Sequence, residues 1–188
     1  MQNFLSASAI VDFDHNVVAG LARGLMESGS VEGYASRCFD WVRDEVIHSA
    51  DTDSDIVSCC ASEIAVSRVG LCYAKSHLLV ALLRAGNIPS GFSYQRLAMD
   101  SGSFCLHGLV SVWDEQVGWF RVDPRGGARG AMARFSPPHD ALVYRAEALG
   151  ERDVPGVFAE PLPSVLLALS RFTSMRGLML NLPDEVVA

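Results

Sequence analysis

Apolar residues recur at helical spacing through the first half of the chain. From about residue 91 to 123 the spacing changes to the two-residue alternation of strands, so helices are expected first and a small sheet after them. Asp14 is a candidate N-cap for a first helix reaching about Glu27, with Val17, Val18, Leu21 and Leu25 on one face and Ser28-Gly29-Ser30 as its stop. Ser30 is placed to cap a second helix whose apolar stripe is Tyr34, Cys38, Trp41, Val42 and Val46. The polar run 51–55 lacks EF-hand spacing and reads as a solvated turn. A short helix over 61–67 leads through Arg68-Val69-Gly70 into an apolar helix over 72–85, which Gly86-Asn87 and Ile88-Pro89 terminate. Strands are expected at 91–98, 104–113 and 117–123. Loops follow, punctuated by Pro137-Pro138 and Pro161-Leu162-Pro163, with one further helix near 163–172.

With 188 residues, 49% of them hydrophobic and 20% charged, the chain can bury a sizeable core, and one domain is the expectation. Its parts would be an N-terminal helical segment over 1–50, a core over about 50–125 and a C-terminal extension over 126–188. The net charge of −7 argues against nucleic acid or an anionic membrane as partner, since both select clustered positive charge. The first residues lack the basic region and long apolar run of a signal peptide, so a cytoplasmic location is expected. The five cysteines, at 38, 59, 60, 72 and 105, show no metal-site spacing and are expected as free thiols, with Cys59 and Cys60 as small buried residues.

Three residues change the picture from a fold to a chemistry. Cys72 opens the apolar helix, His107 lies in the second strand and Asp123 ends the third. A thiol becomes an effective nucleophile when a helix N-terminus and a neighbouring base favour its thiolate, and that base must itself be oriented by a third group. If Asp114-Glu115-Gln116 is a tight hairpin loop, Trp113 pairs with Val117 and His107 stands directly opposite Asp123, with Cβ atoms about 4.5–5.5 Å apart. The Cys72 helix would then pack on the sheet face carrying His107, Leu109, Trp113, Trp119 and Asp123. The Cys72 amide is a ready donor for an oxyanion, and Gly70 suits a close approach by substrate. Taken singly, each of the three residues reads as a satisfied buried group; their order and placement carry the argument. The remaining histidines, at 15, 48, 77 and 139, read as structural, and His77 lies off the Cys72 face of the helix.

The run Gly70-Leu-Cys72-Tyr-Ala-Lys-Ser-His-Leu-Leu-Val-Ala-Leu-Leu-Arg-Ala-Gly-Asn-Ile-Pro89, followed by His107 and Gly118-Trp-Phe-Arg-Val-Asp123-Pro124, resembles the transglutaminase-like superfamily, in particular its small bacterial branch often labelled cysteine protease. The resemblance covers about 50–125. It implies a papain-like α+β fold in which the Cys helix packs on an antiparallel sheet carrying His and Asp. It also implies Cys72 as nucleophile, His107 as general acid/base and Asp123 as the residue that orients the imidazole. Gln95 is a candidate second oxyanion donor, Trp41 a weaker one, and Tyr73 a candidate substrate contact. His107-Gly-Leu and Asp123-Pro-Arg depart from the more usual His-Ala-Trp and Asp-Pro-Thr, so the pocket beside the pair is expected to be particular to this chain.

The resulting expectation is a thiol-dependent acyl-transfer enzyme acting on an amide-containing substrate, hydrolysis being favoured over crosslinking. No metal and no organic cofactor is implied, and no oligomeric state. Two alternatives stand beside it: a small-molecule acyltransferase of the arylamine or acyl-CoA type, and a peptide-binding module without catalysis.

Overall fold

Val18 and Ala22 bury one stripe of the first helix, α1 (Asn16–Leu25), against the centre of the protein. The computed structural model describes residues 1–26, 29–126 and 133–186. The cap of α1 is His15, whose Nδ1 accepts from Val17 N–H, and not the expected Asp14; Glu27 and Ser28 lie outside the described residues. Ser30 does cap α2 (Val31–Glu45): its hydroxyl accepts from Gly33 N–H at 3.0 Å. Tyr34, Cys38 and Val42 of the expected stripe are buried. Two residues of parallel pairing follow, β1 (Ile47–His48) with β2 (Val69–Gly70), on either side of α3 (Ala61–Ser67). The turn over 51–55 is not simply solvated: Asp51 pairs with Arg125, and Asp55 Oδ1 accepts from Met175 N–H at 2.7 Å. Cys59 and Cys60 are half-buried rather than buried, and all five cysteines are free.

Next comes α4, which spans Cys72–Ala85 as the sequence predicts. It ends at Gly86, after which Asn87 turns the chain at φ 59°; Tyr34 lies across Gly86, so that a Cβ there would come within 2.1 Å of the ring. Leu78, Leu79, Leu82 and Leu83 have no exposed surface, and burying each contributes about 1.5–3 kcal/mol.

The sheet is antiparallel, in the order β5-β4-β3-β6. Its members are β3 (Ser90–Ala98), β4 (Phe104–Asp114), β5 (Gly118–Val122) and β6 (Arg152–Phe158), the last absent from the sequence reading. Pro155 and Gly156 interrupt the alternation of β6, and the strand is tolerated because it lies at an edge and its pairing with β3 shifts between Phe92 and Tyr94. The β4–β5 register differs from the expected one by two residues. Trp113 pairs with Trp119 and Asp114 with Gly118, leaving 115–117 as the loop. Two local features set this: Asp114 Oδ1 accepts from Gln116 and Val117 N–H, and Gly118 takes φ 82°, which glycine adopts without steric cost. A shift of two preserves which side chains share a face.

The body of α4 packs on the face of β4 and β5 that carries Leu106, Val110, Val112, Phe120 and Val122, the face opposite to the expected one. His77 of α4 meets Phe92 edge-on at 5.4 Å, and Tyr73 covers Gly108. The chain ends with α5 (Pro163–Arg171) and α6 (Met175–Met179). Replacing Gly86 by Ala should cost about 1–3 kcal/mol in urea unfolding, since the Tyr34 ring is fixed in the core by its own hydrogen bond to Leu82 O and cannot readily yield; an unchanged midpoint would show that the ring moves freely.

Candidate active site

Cys72 is the first residue of α4, so its N–H and those of the next two residues have no helical partner; the first intrahelical bond runs from Lys75 N to Leu71 O. Gly70 does not open space for a ligand. A Cβ there would come within 2.8 Å of Ala74 Cβ, so this glycine makes room for the first turn of α4 itself. The absent side chain that matters more is at Gly108, where a Cβ would come within 3.3 Å of Tyr73 N and Cα. That close approach lets Gly108 N–H donate to Cys72 Sγ at 3.4 Å, one residue along β4 from His107.

Asp123 follows the last residue of β5, and its carboxylate is fully buried. Its Oδ2 accepts from His107 Nε2 at 2.8 Å and from Val143 N–H at 3.2 Å, while Oδ1 accepts from Arg125 N–H at 3.0 Å. The pair meets without the direct cross-strand opposition expected, because the register is shifted by two and the β4–β5 ladder stops at Val110 and Val122, before it reaches His107. Burial acts to lower the His107 pKa, but the Asp123 carboxylate and then Cys72 outweigh it and hold the imidazole well above its usual range. Burial likewise acts to raise the Asp123 pKa, and His107 with two backbone N–H groups brings it below the usual carboxylate range. Tyr144 completes the setting, its ring edge-on to His107 at 5.0 Å.

A cavity of about 460 Å³ opens on Cys72 and His107, within the range of small-ligand sites. Several of its lining residues were passed over in the sequence. Arg125 is buried and forms a two-bond pair with Asp51, at 2.7 and 2.9 Å across 74 positions. His48 lines the same cavity and is neutral: burial, with Arg125 adding to it, takes its pKa down to about 3. Its Nδ1 accepts from Ala50 N–H at 3.2 Å, so the ring proton is on Nε2. The only available signal was a histidine ahead of a short turn, which has no particular meaning until the fold brings it to Cys72.

Of the other candidates, Tyr73 also lines the Cys72 cavity, whereas Gln95 and Trp41 do not. Tyr73 turns its side chain into the core, where its hydroxyl donates to Leu106 O. Gln95 pairs with His107 across β3 and β4, but its Nε2 donates to Asp153 Oδ1 at 3.0 Å and it lines a second depression that shares Tyr144 with the first. Trp41 stacks under Arg68 at 5.4 Å and lines neither cavity. His77 is structural, with Nδ1 2.7 Å from Cys59 O. Among the described residues, no group of three metal-ligating side chains occurs and no helix is long and apolar enough to cross a membrane.

A cysteine at the N-terminus of a buried helix, beside a His–Asp pair on antiparallel strands, is the arrangement of the papain-like α+β class. The model of the transglutaminase-like superfamily matches residues 19–124, more than half of the chain, and the protein belongs to that superfamily. Among solved structures, the chain is similar to one described as a "Putative Cysteine Protease" from Cytophaga hutchinsonii, with 22% identity and TM-score 0.50 over 65% of this chain and 40% of that one. It is also similar to the periplasmic domain of TgpA from Pseudomonas aeruginosa, with 19% identity and TM-score 0.48 over 64% and 45%. The chain thus aligns with less than half the length of either structure. A search of the curated proteins finds no match.

Two outcomes follow from the electrostatics. In Asp123→Asn the strongest partner of the imidazolium is gone and burial dominates, so the His107 titration followed by NMR should move down; a midpoint that stays put would contradict the pairing. For His48 the folded pKa, about 3, lies below the unfolded value of about 6.5, so the unfolded state binds more protons between them. Compared with His48→Gln, the wild type should therefore lose stability as pH falls from about 6.5 towards 3, and parallel curves would count against a buried neutral ring.

Proposed function

We propose that this protein is a cysteine-dependent acyl-transfer enzyme that cleaves amide bonds, with Cys72, His107 and Asp123 as its catalytic triad. The observation that carries the reading is the His107–Asp123 contact, placed beside a sulfur at the first position of α4. Cys72 Sγ attacks the amide carbonyl, and a tetrahedral oxyanion forms. His107 then gives its proton to the leaving amine, and the C–N bond breaks to leave a thioester on Cys72. Water, losing a proton to His107, attacks that thioester and releases the acid and the thiolate. Asp123 holds the imidazole in orientation and stabilises its charged form throughout.

The oxyanion falls to the free Cys72 amide at the N-terminus of α4, where the helix dipole adds favourable charge. His48 Nε2–H, in the same cavity, is a better second donor than Gln95, whose amide nitrogen is already engaged with Asp153. Hydrolysis is favoured over transfer to a second amine because the Asp51 and Asp123 carboxylates are both engaged: Asp51 faces Arg125, and Asp123 is enclosed by its donors.

Burial pushes the Cys38 thiol up to about 12 and those of Cys59 and Cys105 up to about 11, so these stay protonated and slow to react at neutral pH. Iodoacetamide at pH 7 should therefore modify Cys72 at least tenfold faster than Cys38 or Cys105, as read by peptide mass mapping. On a turned-over amide, Cys72→Ala should abolish activity and Asp123→Asn should lower kcat by about 10²–10⁴. Turnover surviving in Cys72→Ala would overturn the reading.

A further inference from the structure

The family match ends at residue 124, yet Arg125, Tyr144, Glu151, Met179 and Leu182, which line the Cys72 cavity, lie beyond it. The cavity that takes in Cys72 and His107 is also lined by Leu97 of β3, Met99 of the β3–β4 connection, Leu106 of β4, and Met179 and Leu182 of the C-terminal segment. That segment is fastened in place. Pro183 O accepts from Leu106 N–H at 2.7 Å, on the edge of β4 that β5 leaves uncovered, one residue from His107. Arg96 donates to Asp184 O at 3.1 Å and lies 3.6 Å from a Glu185 carboxylate oxygen, while Arg152 pairs with the same carboxylate at 3.0 Å.

The charges around the cavity are uneven. Arg125 is its one Lys or Arg among the described residues, and both of its terminal nitrogens are held by Asp51. Asp100 and Glu151 add negative charge at the rim, and the Glu151 carboxylate is fixed there by the N–H groups of Ala98, Glu147 and Ala148, which lower its pKa. A carboxylate-bearing ligand would find Arg125 and His107 each already paired with a carboxylate, and two further anions. An apolar side chain would find a wall of Leu and Met carbon.

We infer that the C-terminal segment makes the Cys72 cavity selective for amides that carry an apolar side chain beside the reacting bond, and that the acidic rim excludes acidic ones. The inference builds on the reading of Cys72 as the nucleophile, but the pocket's preference can be measured without catalysis. The Cys72→Ala protein, with residues 1–188 intact, is titrated with N-acetyl-leucine methylamide and with N-acetyl-glutamate methylamide, following the Tyr73 and Gly108 amides by NMR. The leucine probe should bind at least about tenfold more tightly, the scale of discrimination a hydrophobic pocket gives. Leu182→Ser in the same background should shrink that ratio by at least threefold. Equal affinities, absence of binding by both probes, or a ratio unmoved by Leu182→Ser overturns the inference. Iodoacetamide labelling of the wild type separates the two ideas: a protein that selects the leucine probe while Cys72 labels no faster than Cys105 keeps the pocket and loses the nucleophile.

Discussion

The structure depends on the near-complete burial of α4. From Cys72 to Arg84 every residue is buried, although the helix includes Lys75, Ser76, His77 and Arg84. A charge taken out of water is costly unless it is hydrogen-bonded, and here the partners are backbone carbonyls of the elements packed around the helix. Lys75 Nζ donates to Arg43 O and Val46 O at the end of α2, and Arg84 donates to Ser6, Ser90 and Ala159 carbonyls. Burial still takes Lys75 down to about 7 and Arg84 to about 10. The two cationic residues of α4 therefore act as ties. Lys75 binds its first turn to the α2–β1 junction, and Arg84 binds its last turn to the N-terminal segment and the chain beyond β6.

Fixing both ends of the helix fixes Cys72, because the thiol is carried on the first turn. Lys75 is three residues on from Cys72, so the tie to α2 acts on the turn that presents the sulfur. On the sheet side the constraint is steric: only glycine at 108 lets the Tyr73 backbone come close enough for Gly108 N–H to reach the sulfur. The pair that faces Cys72 is held by a different part of the chain. Asp123 lies just past β5, and Val143, from the segment that bridges alongside Val122 at Ala141, supplies one of its N–H donors. Tyr144 from the same segment braces the imidazole.

How much of this the sequence displays depends on the range of the interaction. The limits of α4 were legible because their causes are local: an extended residue before Cys72, and Gly86-Asn87 after the last turn. The three strands that follow were legible from alternation, and the even shift in register left the face assignments of β4 and β5 intact. Placing the hairpin loop one residue early, which moves the pairing by two, came from counting Asp114 as a loop residue, when its side chain instead closes the turn from the strand end. The face on which α4 packs was misjudged for a related reason, since alternation separates two sets of residues without saying which meets the helix. The β6 strand, the Asp51–Arg125 pair and the place of His48 were not legible, because each is defined by a partner tens of residues away and none has a periodic pattern of its own.

That division by range also separates the proposed chemistry from the proposed selectivity. Cys72, His107 and Asp123 all fall within the stretch matched to the superfamily, whereas Arg125, Tyr144, Met179 and Leu182 follow it. The matched stretch positions the sulfur through backbone ties and a glycine contact that involve no cavity-facing side chain of the later segment. Substitutions at Met179 or Leu182 can therefore alter the apolar wall while leaving the His107–Asp123 hydrogen bond in place. Those at Val143 and Tyr144 cannot, because their backbone and ring touch the pair directly. The C-terminal extension thus has two physically distinct roles in one site: residues 141–144 brace the His–Asp pair, and residues 179–183 shape what can approach it.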